Sequence, residues 1–277
     1  MARLASRIVD SPGSPPTAGA ALDALLSGPA AQPGAATLEA IDAGPMPEAD
    51  ALARSDLDRL LDPAPLTRET GWCRLPDGCG YVAVRTAMPG VSGEMVDWWF
   101  DWHPRDARRY RAWHPAAHRD NALDPPARPG AKAHWGAVHH PVEDIGIGTV
   151  HARIAFLAPS AAGFSGDALD EPRVATIVCG RVGDDRRRVW HTLMAHVFLR
   201  DGDGIVLRSH FWLGAGIRPF GPAPLGTAGA ALLDRPAVRR RAIPAAAPRA
   251  LARHCAEEYA NLAAFLPGLH ARERDRA

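Results

Sequence analysis

The chain has 277 residues, and its 32 lysines and arginines nearly balance its 31 aspartates and glutamates for a formal net charge of +1. That balance leaves no basic footprint for nucleic acid or an anionic membrane, and the clusters Arg186-Arg187-Arg188 and Arg239-Arg240-Arg241 read as solvated loops. No stretch approaches the roughly 18 apolar residues that span a bilayer, and the N-terminus lacks a charged-then-apolar leader pattern, so a cytoplasmic protein is expected. Cys73, Cys79, Cys179 and Cys255 form no CxxC pair, which argues against a zinc ribbon or a redox motif.

Residues 10–33 are rich in Pro, Gly, Ser and Ala, with only the short apolar run from Ala21 to Leu26 to bury, and a mobile start is expected. Pro47-Glu48-Ala49-Asp50 can open a helix in which Leu52, Leu57, Leu60 and Leu61 recur until Asp62-Pro63 stops it. Residues 1–70 therefore read as a small helical appendage to a domain over 71–277. There, 80–85 reads as a strand, and Met95, Trp98, Trp99 and Trp102 form one helical stripe. Pro104 opens a second short helix that carries Tyr110 and ends near Trp113-His114-Pro115. Strands are expected over 149–157, 174–182, 188–200 and 204–213, with Asp201-Gly202-Asp203-Gly204 as the last turn. Residues 219–248 read as a long connection, and a helix over about 250–265 is closed by Pro267-Gly268. The order predicts an α+β fold, an antiparallel sheet gripping a C-terminal helix, as in the helix-grip birch-pollen-allergen and START-like proteins, with a cavity between the two.

The terminal helix carries the sharpest chemical signal. At 100° per residue, with Leu251 at zero, Cys255, Leu262 and Leu266 lie within about 60° on one side, and His254, Glu258 and Phe265 within about 60° on the other. Arg253 and Glu257 point outward. A glutamate facing a core is costly unless it is paired or bound to a metal, and an i, i+4 imidazole and carboxylate converge on one point. An isolated pair of this kind is more often a satisfied His–Glu hydrogen bond in a core than a metal site. This pair has company in Tyr110, Trp113, His114, His118 and Asn121 and in the run His139-His140-Pro141-Val142-Glu143-Asp144, a donor set that suits zinc or another borderline divalent ion. Chemistry alone does not choose among His114, His118, His139 and His140. On the strand over 188–200, His196 alternates onto the face of Met194 and Phe198, either as a functional group or as a core histidine. On the next strand Val206, Arg208, His210 and Trp212 share a face.

The runs Asp97-Trp98-Trp99-Phe100-Asp101-Trp102-His103, Tyr110 to Asn121, Leu207 to Gly214 and His254 to Glu258 followed by Asn261-Leu262 resemble the 2,4-diacetylphloroglucinol hydrolase family over roughly residues 70–270. The resemblance implies a zinc ion held by two histidines and two glutamates in a helix-grip domain behind a small helical one. Carried over by motif, the metal set is His118, Glu143, His254 and Glu258, Glu143 matching at a shorter spacing than expected. Tyr110 and Asn121 would hold substrate oxygens, and His196 would move the proton. A tyrosine that the family places on the following strand is missing here, and His210 or Phe211 takes its place as a substrate contact, with Trp113 among the apolar walls. The implied reaction is metal-dependent hydrolysis of the carbon–carbon bond between an acyl group and a phenolic ring, and the implied partner is a small acylphenol or aromatic polyketide, a homodimer being compatible. The rival readings are a non-catalytic carrier of a small hydrophobic ligand and a metal-dependent cyclase or acyl transferase.

Overall fold

The computed structural model describes residues 18–127, 130–221 and 231–274, so the chain before Ala18, where the mobile start is expected, and residues 222–230 of the expected connection lie outside the described residues. Eight strands build one antiparallel sheet in the order β1-β2-β8-β7-β6-β5-β4-β3. They are β1 Gly71–Arg74, β2 Gly80–Met88, β3 His118–Asp124, β4 Val138–Asp144, β5 Thr149–Leu157, β6 Val174–Asp184, β7 Val189–Asp201 and β8 Gly204–Pro219. Helices α1 Ala18–Ser27 and α2 Ala35–Asp42 precede the sheet, α3 Gly93–Trp102 and α4 Ala107–Trp113 join β2 to β3, and α5 Pro159–Ala162 joins β5 to β6. Helix α6 Pro236–Ala242 leads into the long terminal helix α7 Ala247–Glu273. The fold is α+β, an open antiparallel sheet with a long C-terminal helix, as in helix-grip proteins.

Both faces of the central strands are buried, which is why β7 and β8 read as nearly continuous apolar runs. On the inner face Val178, Met194, Phe198, Leu207 and Phe211 pack with Cys255, Tyr259, Leu262 and Leu266 of α7. On the outer face Leu193, Ala195, Val197 and Trp212 pack with Met46, Leu57, Leu60 and Phe164. Arg208 fastens that outer cover: its guanidinium donates to the carbonyls of Leu60, Asp62 and Ala64 and pairs with Glu69 at 2.8 Å. Gly202, at φ +58°, makes the tight β7–β8 turn.

Four expectations are corrected. The helix expected after Pro47 is two 3-10 segments, Glu48–Asp50 and Arg54–Leu60, although Leu57 and Leu60 are still buried. The short strand β1 and the polar strands β3 and β4 add to those foreseen. The long connection contains α6. Finally, α7 runs through Pro267 to Glu273. Proline there removes one helical donor, yet Leu269 beyond it stays buried at 1% exposure, so packing of the last turns outweighs the lost bond. All four cysteines are buried free thiols. No helix among the described residues is long and apolar enough to cross a membrane.

Candidate metal centre

Helix α4 is capped by Asp106, whose side chain accepts from the Arg108 amide, and ends at Trp113, shortly before β3. Tyr110 and Trp113 are its buried residues nearest the site, and the His118 amide bonds the His114 carbonyl at 2.8 Å, which turns the chain into β3. His118 and Glu143 are cross-strand partners on β3 and β4, so the hairpin itself brings them together. From the other side α7 presents His254 and Glu258 one turn apart.

The four side chains meet. His118 Nε2 lies 3.5 Å from Glu143 Oε2 and 3.6 Å from Glu258 Oε2, while His254 Nε2 lies 3.8 Å and 3.9 Å from the same two oxygens. Tetrahedral zinc with ligand bonds of about 2.1 Å sets its donors about 3.4 Å apart, close to these separations. His118, His254 and Glu258 each offer a ligand atom within 4.8 Å of the others, as a metal site requires. Glu143 reaches both imidazoles as well, and the Tyr110 hydroxyl donates to its Oε2.

The protonation pattern fits a cation. His118 Nδ1 lies 3.0 Å from the Tyr110 carbonyl, which can only accept, so Nδ1 carries the hydrogen and Nε2 presents a lone pair. That Nε2 is buried without a hydrogen-bond partner and faces two carboxylates, an arrangement that repels unless a positive charge sits between them. Burial, then its neighbour Glu143, pushes Glu258 well above the usual carboxylate range. Glu143 is also raised by burial, against the lowering effect of the Tyr110 hydroxyl. Burial holds His118 far below the ordinary imidazole range and His254 at about 3, so both rings are neutral donors.

The other histidines fall elsewhere. His114 stacks on His254 with centroids 5.1 Å apart but turns its Nε2 to Glu257 at 3.3 Å. His139 packs on Phe156, and His140 bonds Asp124 and Asp185, each at 3.0 Å. A cleft of about 440 Å³ lined by His114, Asp144, Arg249, Arg253, His254 and Glu257 opens beside the cluster.

His196 lies on the inner face, its Nδ1 2.8 Å from Ser209 Oγ and its ring against Phe211 and Tyr259. Asn121 is buried at 8% exposure, with neither amide atom hydrogen-bonded among the described residues. Trp113 donates its indole N–H to the Glu258 carbonyl at 3.0 Å, so it braces the cluster from behind. His210 corrects an expectation. It pairs with Ala195 across the β7–β8 ladder and bonds the Tyr81 hydroxyl, both residues of the outer core, so it stands on the face away from the cluster; Phe211 faces inward.

Sequence reasoning passed over two supports. Asn261 donates to the Ala112 and Trp113 carbonyls at 3.2 Å and 2.9 Å and accepts from the Ala31 amide, tying the end of α4 to α7. Ser209 had a legible signal: the turn at Gly202-Asp203 pairs Asp201 with Gly204, and counting back along that register sets His196 opposite Ser209.

Residues 52–271 match the family model described as the DAPG hydrolase PhiG domain. The chain belongs to that family. Among its relatives, a phloretin hydrolase from Eubacterium ramulus is 31% identical over 211 residues, which cover 72% of this chain and 70% of that protein. A 2,4-diacetylphloroglucinol hydrolase from Pseudomonas protegens is 33% identical over 184 residues, 63% of this chain and 60% of that protein. A third relative of the same name, from a Pseudomonas species, is 32% identical over 184 residues, and that match spans 63% of each chain. The matches thus span 60–70% of the length of these relatives of the DAPG hydrolase family.

Proposed function

We propose that this member of the DAPG hydrolase family is a zinc-dependent hydrolase that cleaves the carbon–carbon bond between an acyl group and a phenolic ring, releasing a carboxylic acid. The observation that carries the reading is the convergence of His118, Glu143, His254 and Glu258, two neutral imidazoles and two carboxylates, in one buried cluster. A divalent ion held by these residues would supply polarisation of a carbonyl and a water of lowered pKa. A carrier of hydrophobic ligands gains nothing from burying two carboxylates at such cost.

The chain's own groups divide the remaining work. Tyr110 orients both ends of the cluster, its carbonyl fixing the His118 tautomer and its hydroxyl holding Glu143. Asn121, with donor and acceptor both uncommitted, is suited to two substrate oxygens. Burial pushes the His196 imidazole down to about 3, so it is neutral at working pH. It would first accept a proton from the attacking water and then deliver it to the ring carbon as the bond to the acyl carbon breaks. The acyl carbon leaves with the hydroxyl as a carboxylic acid, and the ring keeps the hydrogen. Phe211 lines the inner face beside His196.

The test is to incubate the purified protein with 2,4-diacetylphloroglucinol and with phloretin, substrates named for its relatives, and to separate the products. The expected result is a deacylated ring and an equivalent of acid, abolished by a chelator. Intact substrate after prolonged incubation of metal-loaded protein would refute the reading.

A further inference from the structure

The chain has three tyrosines, and two of them commit their hydroxyls inside the protein. Tyr81 bonds His210 Nδ1 at 2.8 Å on the outer side of the sheet, and Tyr110 donates to Glu143. Tyr259 does neither. It is fully buried on α7, directly after Glu258, and its hydroxyl has no hydrogen-bond partner among the described residues. A phenylalanine would fill the same space without leaving a polar group unsatisfied, so the oxygen costs stability where it stands.

The ring around that oxygen is firmly held. It touches His196 with centroids 5.0 Å apart, Trp113 in a T-shaped contact at 5.4 Å and Phe198 at 6.2 Å. Trp113 is in turn fastened to the Glu258 carbonyl, so the phenol and the metal cluster share one support. The result is a fixed donor with no internal acceptor, beside the imidazole assigned to proton transfer and one residue from a proposed metal ligand. Unsatisfied buried polar groups with rigid surroundings are what a site shows when a ligand atom supplies the missing partner.

We propose that Tyr259 is a substrate-binding residue that donates its hydroxyl hydrogen to a ring oxygen of the acylphenol. This rests on the hydrolase reading above. As the carbon–carbon bond of the ring's keto tautomer breaks, its electron pair passes through the ring carbon to the adjacent carbonyl oxygen, which carries growing negative charge until the ring carbon takes its proton. The hydrogen bond from Tyr259 therefore strengthens as the carbon–carbon bond breaks, and its contribution falls on kcat as well as on KM.

Tyr259→Phe tests this on the metal-loaded full chain, with elemental analysis, thermal melting and steady-state cleavage of an acylphloroglucinol run on the same preparation. The expected result is an unchanged metal content, a Tm equal to or above that of the wild type, and a fall in kcat/KM of roughly 10- to 100-fold, the usual range for losing one hydrogen bond to a substrate oxygen of growing charge. Unchanged kcat/KM with a raised Tm would make the hydroxyl a packing defect and overturn the proposal. A fall in rate that tracks lost metal would overturn it as well, by placing the effect in the cluster. A wild-type protein that cleaves no acylphenol overturns the parent reading and this inference together, whereas a wild-type enzyme that turns over beside an equally fast variant overturns this inference alone.

Discussion

Glu257 and Glu258 are neighbours in sequence with opposite surroundings. Glu258 turns into the cluster of imidazoles, whereas Glu257 faces the cleft and pairs with His114 and Arg253 at 3.3 Å and 3.0 Å. Helix phase alone separates them, which is why this distinction was legible in the sequence. Glu258→Gln keeps the size and removes the charge, so metal retention should fall by tenfold or more, while Glu257→Gln should change it little. Elemental analysis after dialysis of the two variants reads the difference, and equal losses would place the wrong glutamate at the metal. His196 makes the complementary case, since it bonds Ser209 and packs its ring against Phe211 and Tyr259. His196→Ala should keep the ion and slow turnover by roughly 10²- to 10⁴-fold. Loss of the ion would make it a ligand, and an unchanged rate would make it a core histidine.

At the scale of elements, the cluster depends on how α4 is docked against α7. Asn261, at 7% exposure, holds the last carbonyls of α4 and the amide of Ala31 in one amide group. Asn261→Ala would leave these buried groups unpaired, and a loss of about 1–3 kcal/mol is expected in urea unfolding, with weaker metal binding as Tyr110 and His118 shift. A change below about 0.5 kcal/mol would mean that water replaces the amide without loss. Strands β5 to β8 were legible because their β-branched and aromatic runs are bounded by turns. Strands β3 and β4 were not, since His118-Arg119-Asp120-Asn121 and His139-His140-Pro141 put functional polar residues where a strand signal needs apolar ones. Their pairing brings His118 opposite Glu143, so the hardest elements to read were the ones that assemble half of the site. The terminal helix was read correctly in type and phase but ended early, because local proline chemistry carries no information about Leu269 packing beyond it.

For the whole molecule, the concentration of buried neutral histidines sets a pH response. Burial pushes His103, His196 and His210 each down to about 3. In the unfolded chain an imidazole titrates near 6.5, so between about 6.5 and 3 the unfolded state binds protons that the folded state refuses. Stability is therefore complete above that window and is lost as pH falls through it, at roughly 1.4 kcal/mol per pH unit for each such histidine. Urea midpoints should fall steadily from pH 7 to pH 5, and a flat profile would show that these rings protonate in place. Function makes a sharper demand on the molecule than stability does, because the proposed chemistry requires one ion among His118, Glu143, His254 and Glu258. The decisive measurement is to strip the protein with a chelator and titrate zinc back while following acylphloroglucinol cleavage. Activity should vanish on stripping and return in full at about one ion per chain, as expected for a single mononuclear site; full activity in a preparation shown to be metal-free would contradict it.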